Sequence, residues 1–216
     1  VLIGKPGSGK GTQAKRLSAK HSIPTISTGD LIRTAIATES NYGKKLKHYT
    51  DQGQLVPDGL VVPILEERLS SPDCKAGFLV DGFPRTELQA KVFNSWLQQN
   101  AMPIDAAIYM SVPDEVLVER ASGRRYCPQC GASFHVTFAP PAHEGLCDQC
   151  GTALMQRPDD KAHVVAARLQ QYTEKTSVVL EIYRQRQQLL EVDGLGTIAE
   201  VEARVDQALS PLRHAF

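Results

Sequence analysis

Residues 4–12 read Gly-Lys-Pro-Gly-Ser-Gly-Lys-Gly-Thr, directly after the apolar run Val1-Leu2-Ile3. A strand that runs into a glycine-rich turn and opens into a helix is suited to holding phosphate. The glycines let the backbone curl until several N–H groups point into one cavity, and the helix adds its positive end. Gly7, Ser8, Gly9, Lys10, Gly11 and Thr12 are therefore candidate residues for binding a nucleoside triphosphate, with Lys10 able to reach its β- and γ-phosphates. The common form of this loop places a hydroxyl directly after the lysine. Here Gly11 stands there and Thr12 follows, so either Thr12 or a water near the magnesium takes the hydroxyl's place. A plain Gly/Pro turn explains fewer of these features together.

A second constellation lies far along the chain. Cys127-x2-Cys130 is followed, after sixteen residues, by Cys147-x2-Cys150, and each pair is followed by glycine. Two tight turns that each aim two sulfurs at one point make a tetrahedron of thiolates, which suits a structural Zn2+ with no open coordination position. Two disulfides, free thiols or an iron site are the alternatives. His135 and His143 lie in the same stretch and are expected to be exposed. Zinc ribbons also grip nucleic acid, so a nucleic-acid binder with a regulatory phosphate loop is a competing class. Only Arg124-Arg125 near the lobe supports it.

These residues need a frame. Strand candidates are 1–3, 25–26, 78–80, 106–112 and 189–192. Helix candidates are 10–20, 30–38, 42–52, 59–69, 87–99, 114–121, 161–188 and 198–209. Strands alternating with helices predict an α/β fold with a parallel sheet, and ligands then bind beyond the carboxyl ends of the strands. Gly4–Thr12 and Asp81–Arg85 both follow strands, so both belong on that rim. The stretch from Gly123 to about Arg157 is rich in proline and glycine and is expected to be an inserted lobe. The 216 residues suffice for one substantial core. Lys plus Arg and Asp plus Glu are 24 each, giving zero net charge, which argues against long-range attraction to nucleic acid or an anionic membrane. Thiols spaced for metal fit a cytoplasmic setting. Cys74 is expected to be a partly buried spectator. Val1 already lies in the first strand candidate, so the natural start is expected upstream.

Gly4–Thr12, Ile26-Ser-Thr-Gly-Asp-Leu-Ile-Arg33, Asp81-Gly-Phe-Pro-Arg85 with Gln89, Gly123-Arg-Arg125, and Arg157-Pro-Asp-Asp160 with Arg168 occur in that order. Together they resemble the adenylate kinase family, in its bacterial long form with a metal-bearing lid, over nearly the whole chain. The resemblance implies the P-loop nucleoside monophosphate kinase fold, a five-stranded parallel sheet flanked by helices with two inserted mobile lobes. The core would be 1–26, 57–122 and 161–216, the AMP-binding lobe 27–56 and the lid 123–160, with hinges near Ser122-Gly123 and Arg157-Pro158. The implied reaction is Mg2+-dependent, ATP plus AMP giving two ADP. The implied partners are ATP, AMP and ADP, with no nucleic acid and no membrane, for a monomer. A kinase for UMP or CMP is the neighbouring reading; the cysteine-bearing lid and Gln89 favour adenylate.

The resemblance also assigns residues. Arg33 and Arg85 would take the AMP phosphate. Arg124, Arg157 and Arg168 would take the phosphate chain being transferred, the last two also touching AMP. Lys10, Arg85, Arg124, Arg157 and Arg168 form the catalytic set. This suits the chemistry, because phosphoryl transfer needs in-line positioning and positive charge, and arginines supply permanently charged forks. Without the resemblance, the same arginines read as surface groups in ordinary ion pairs. Thr28 and Gln89 would contact the AMP adenine, with Gln54, Leu55 and Val56 lining its pocket and Gly82, Phe83 and Pro84 completing the site. Thr28 also reads as an N-cap for the helix at Asp30. Arg120 would stack on the ATP adenine, Ser133 and Phe134 would cover it, and Gly196 would offer it a carbonyl. Asp81 would orient water on magnesium. Asp159 and Asp160 either link lid arginines to the core or start the following helix. Closing both lobes expels water, and their reopening is expected to limit turnover.

Overall fold

The structure, a computed structural model, describes residues 1–214. The last two residues of the expected core segment 161–216 lie outside the described residues. Its centre is a sheet of β1 (Leu2–Ile3), β2 (Thr25–Ser27), β3 (Leu79–Asp81), β4 (Ala107–Ser111) and β7 (Leu189–Asp193), in the order β2-β3-β1-β4-β7 with every pair parallel. Successive side chains point to opposite faces, and both faces are covered. Ile3, Ile26, Val80 and Ala107 pack with Leu65, Phe93, Leu97, Val179 and Tyr183. Leu2, Leu79 and Ile108 pack the other way, with Ala14, Leu17 and Val205. Double burial is why these strands read as continuous apolar runs rather than alternating ones.

The helices are α1 (Lys10–His21), α2 (Thr28–Ala37), α3 (Asn41–Asp51), α4 (Asp58–Leu69), α5 (Glu87–Gln99), α6 (Asp114–Ser122), α7 (Ala162–Gln171), α8 (Ser177–Gln185) and α9 (Ile198–Leu209). Two expectations need correction. The single helix expected over 161–188 is interrupted by a π-helical turn at Tyr172–Thr176 and ends at Gln185. The turn buries both Tyr172 and Thr176, and Gln187 at φ 57° then swings the chain into β7. Thr28 does not cap α2. Ser27 does, its side chain accepting from the Asp30 N–H, and this frees the Thr28 hydroxyl.

The sheet register sets the site. Leu2 lies opposite both Asp81 and Ile108, so β1 and β3 end side by side. The two glycine-bearing loops that follow, at Gly4 and Gly82, therefore leave the same rim. The stretch 123–157 forms a separate lobe around the hairpin β5 (Arg124–Tyr126) and β6 (Ser133–His135). Cys127, Ala132 and Cys147 are its small core, with Phe134 and Leu154 packed on them. His143 is exposed as expected, but His135 is buried. The His135 ring stacks on Phe138 and occupies the space beside Gly123, where any Cβ would overlap it.

Candidate active site

The phosphate loop is shaped by contacts that exclude side chains. Gly7 has φ 86°, and a Cβ there would lie 2.7 Å from the Leu117 carbonyl oxygen of α6. Gly4 would similarly meet the Met110 carbonyl oxygen at 2.9 Å. Gly9, at φ 90°, turns the chain into α1, whose first N–H groups have no intrahelical partner. Ser8 is buried inside the loop, its N–H on the Lys5 carbonyl. Gly11 is exposed, 3.6 Å at its Cβ position from the Asp81 carboxylate, so its missing side chain leaves that space open. Thr12 follows in the first turn. The Lys10 ammonium donates to the carbonyls of Gly4 (2.7 Å) and Lys5 (2.9 Å). Burial lowers the Lys10 pKa from 10.5 to about 8; Asp81 opposes that fall, while Arg85, Arg168 and Arg124 deepen it.

Arg85 stands beside this loop on Asp81–Arg85, whose Phe83–Pro84 peptide is cis. It is fixed from three directions. Its Nε donates to the Gly82 carbonyl at 2.5 Å, its N–H donates to Gln89 Oε1 at 2.7 Å, and its carbonyl accepts from the Thr176 hydroxyl at 2.9 Å. Gly82, at φ 81°, has no room for a Cβ, which would stand 2.8 Å from the Arg85 guanidinium. The π-helical turn is what aims Thr176 at this loop, and π-turns gather at functional sites.

Four more arginines stand at carboxylates. Arg124 makes a bidentate pair with Asp160, through Nε at 2.8 Å and Nη2. Asp160 is fully buried. Arg168 Nη1 lies 2.9 Å from Asp159 Oδ2 and 3.8 Å from Asp160 Oδ1. Arg33 pairs with Asp30 and reaches Asp159 at 4.0 Å. Arg157 lies 3.9 Å from Asp30 and 5.3 Å above the Tyr126 ring. Of the two roles expected for Asp159 and Asp160, the linking one is seen: both sit in a 3-10 turn before α7 and tie arginines of the lid and core together. Burial lowers the Arg168 pKa to about 10, and the same cause, with Arg33 and Arg124 repelling, lowers Arg157 to about 10. For Arg124 burial also pulls down, but the Asp160 bonds hold the pKa above its ordinary value. Burial would raise Asp159; four arginines, Arg168 first, hold its pKa low instead.

An open cleft connects these groups to the lobe of α2 and α3. Thr28, Arg33, Gln54, Leu55, Val56, Gly82, Phe83, Arg85, Gln89 and Arg168 all line it. Pro84 lines the adjoining cleft that holds Lys10. The Thr28 hydroxyl donates to the carbonyls of Asp81 (3.3 Å) and Gly82 (3.0 Å). The residues expected around the other base are only partly gathered. Arg120 donates to the Gly194 carbonyl at 2.8 Å, beside Gly196, which has φ 101° and whose Cβ would crowd Glu200. Ser133 is exposed on the cysteine-bearing lobe, and Phe134 packs into that lobe's own core. The cysteine-bearing lobe touches α1, where the Lys15 ammonium donates to the Gly131 carbonyl at 2.6 Å.

The four cysteine sulfurs lie within 4.8 Å of one another. The nearest pairs are Cys127–Cys150 at 3.4 Å, Cys130–Cys147 at 3.5 Å and Cys130–Cys150 at 3.7 Å. A tetrahedron of ~2.3 Å Zn–S bonds has edges of about 3.8 Å, so the cluster fits such an ion. Gly131 and Gly151, at φ 69° and 71°, close the two turns alike. Cys74 is not partly but fully buried, against Arg68.

Sequence reasoning missed Asp58, which binds Gln89, Thr176, which binds Arg85, and Lys15 at the lid contact. Asp30 had a readable signal, standing three residues before Arg33 on a helix. The others had none.

The family model for adenylate kinase matches residues 2–188. Among similar proteins, the adenylate kinase of Clostridium tetani is 46% identical over 212 residues, covering 98% of each chain. That of Caldicellulosiruptor bescii is 48% identical over 209 residues, covering 97% of each. That of Archaeoglobus fulgidus is 45% identical over 213 residues, covering 99% of this chain and 98% of its own.

Proposed function

The chain belongs to the adenylate kinase family, and from that premise we propose how its residues divide the work. It is a nucleoside monophosphate kinase, a phosphotransferase that converts ATP and AMP into two ADP. The family uses Mg2+ with ATP, which neutralises charge on the β- and γ-oxygens. Among the described residues no helix is long and apolar enough to cross a membrane.

In our reading the loop Gly4–Thr12 and Lys10 hold the ATP phosphates, and Arg33 and Arg85 hold the AMP phosphate. Arg124, Arg157 and Arg168 surround the group in transit. The observation that carries this is one cationic cleft: Lys10, Arg85 and Arg168 line a single pocket, and Arg33 stands in the one that adjoins it. Burial keeps these charges strong, since water screens them little there. Carboxylates of Asp30, Asp159 and Asp160 balance the arginines until phosphate arrives. Thr28, Gln54, Leu55, Val56 and Gln89 form the AMP adenine pocket. Arg120, Ser133, Phe134 and Gly196 face the ATP base, and Asp81 orients water on magnesium.

The segments 27–56 and 123–160 act as mobile lobes on the core 1–26, 57–122 and 161–216. The lid's cysteines hold a structural Zn2+; four sulfurs at tetrahedral spacing support this, and a lobe with so small a core needs such a tie. We place the protein as a cytoplasmic monomer, because four thiolates available to metal need a reducing compartment and one chain supplies both clefts. The test is direct. Pure protein mixed with ADP and Mg2+ is expected to form ATP and AMP in equal amounts by 31P NMR, and no ATP would refute the reading.

A further inference from the structure

Gln89 is 3% exposed and lines the AMP cleft, yet both ends of its amide are already engaged. Nε2 donates to Asp58 Oδ1 at 2.6 Å, and Oε1 accepts from the Arg85 N–H at 2.7 Å. Asp58 opens α4, and its other oxygen lies 3.5 Å from the Thr86 hydroxyl that caps α5. An amide carries two hydrogens on nitrogen and two lone pairs on oxygen. Each end of Gln89 therefore keeps one function free, an acceptor at Oε1 and a donor at Nε2.

The two bonds decide which way round the amide sits. Turned by 180°, its NH2 would face the Arg85 N–H and its oxygen would face the Asp58 carboxylate. That sets donor against donor and acceptor against acceptor, with the polar groups buried and unpaired. The Arg85 N–H is main chain and present whatever the side chain. Asp58 is the replaceable half of the lock.

We propose that Asp58 is a specificity-determining positioning residue: it fixes the Gln89 amide in the one orientation that accepts a 6-aminopurine and rejects a 6-oxopurine. Adenine presents a 6-amino donor and an N1 acceptor, which match the free oxygen and the free N–H. Hypoxanthine presents a 6-carbonyl acceptor and an N1–H donor, which match only the reversed amide. This rests on the reading above that Gln89 faces the AMP base. An acidic residue in the first turn of α4 also favours the helix dipole, so the test needs a readout that helix stability leaves alone.

That readout is the ratio of kcat/KM for AMP to kcat/KM for IMP, with Mg-ATP as donor. Asp58→Leu is expected to lower this ratio at least about ten-fold, chiefly by lowering KM for IMP, because only the Arg85 N–H then opposes the reversed amide that a 6-oxopurine needs. Asp58→Glu keeps an acceptor-only partner for Nε2 and is expected to keep the ratio within about three-fold of wild type, whereas an asparagine there could turn its own amide to suit either orientation. Asp58→Ala replaces the leucine variant should that one fail to fold. A ratio unchanged in the leucine or alanine variant, or lost as fully in the glutamate variant, overturns the proposal. Gln89→Leu tests the premise separately, and is expected to abolish the preference. If it does not, the placement of Gln89 at the AMP base fails; if it does while Asp58→Leu changes nothing, only the positioning role fails.

Discussion

Asp160→Asn is the most informative change to the cationic cleft outside the arginines themselves. The carboxylate is fully buried and receives two bonds from Arg124, with Arg168 at 3.8 Å. Asparagine keeps the shape and one acceptor oxygen but removes the charge and puts an NH2 where one guanidinium donor now points. Breaking a buried pair by removing one partner costs about 3–5 kcal/mol. Arg124 keeps a quarter of its side chain in contact with solvent, and one neutral hydrogen bond survives, so about 2–3 kcal/mol is expected here. For a chain of this size each kcal/mol moves the melting temperature by about 2–4 °C, so the variant should melt about 5–10 °C below wild type without nucleotide. A bisubstrate analogue, two adenosines joined by a polyphosphate, should stabilise the variant more than wild type, because its charge replaces the missing carboxylate. Thermal denaturation with and without analogue reads both effects. A loss under about 2 °C, or an analogue shift no larger than wild type's, would show that Asp160 does not balance the arginines.

Other expectations follow from the same geometry. Arg85→Ala should lower kcat by about 10^3-fold, as loss of a transition-state cation does, while circular dichroism shows the fold retained; near-normal turnover would remove Arg85 from the mechanism. Lys10, at about 8 rather than 10.5, should make kcat/KM for Mg-ATP fall above about pH 8 in wild type. Lys10→Arg, charged throughout, should flatten that limb. Because the folded pKa is the lower one, nucleotide-free stability should rise between pH 8 and 10.5, where the unfolded chain still holds the proton; chemical denaturation across that range measures it. Chelation of the lid metal should lower the melting temperature but leave measurable activity at low temperature; activity lost at low temperature in a still-folded lid, and restored by metal, would contradict a structural role.

What was legible in the sequence was what repeats locally. Gly4–Thr12 announces its geometry through glycines: the structure gives positive φ at Gly4, Gly7 and Gly9, and close approaches at Gly4 and Gly7. The cysteine pairs announce theirs through spacing, and their sulfurs do converge. The parallel sheet was readable because strands buried on both faces are apolar throughout. The resemblance carried the family, which full-length similarity to adenylate kinases shows. Single-residue events were not legible. The π-helical turn shifts register by one residue inside a helix pattern that looks continuous, so Thr176 could not be seen to reach Arg85. His135 reads as an ordinary lid histidine until β6 folds it onto Gly123. Asp58 and Gln89 are 31 residues apart, and no local rule pairs an amide with a carboxylate at that distance along the chain.

The central claim is that one phosphoryl group passes directly between two nucleotides inside this cleft. A crystal structure with the bisubstrate analogue tests it most directly. The polyphosphate should run from the loop at Lys10 to Arg85, with one adenosine beside Thr28 and Gln89. An analogue bound elsewhere, or with its phosphates away from Lys10 and Arg85, would contradict the account.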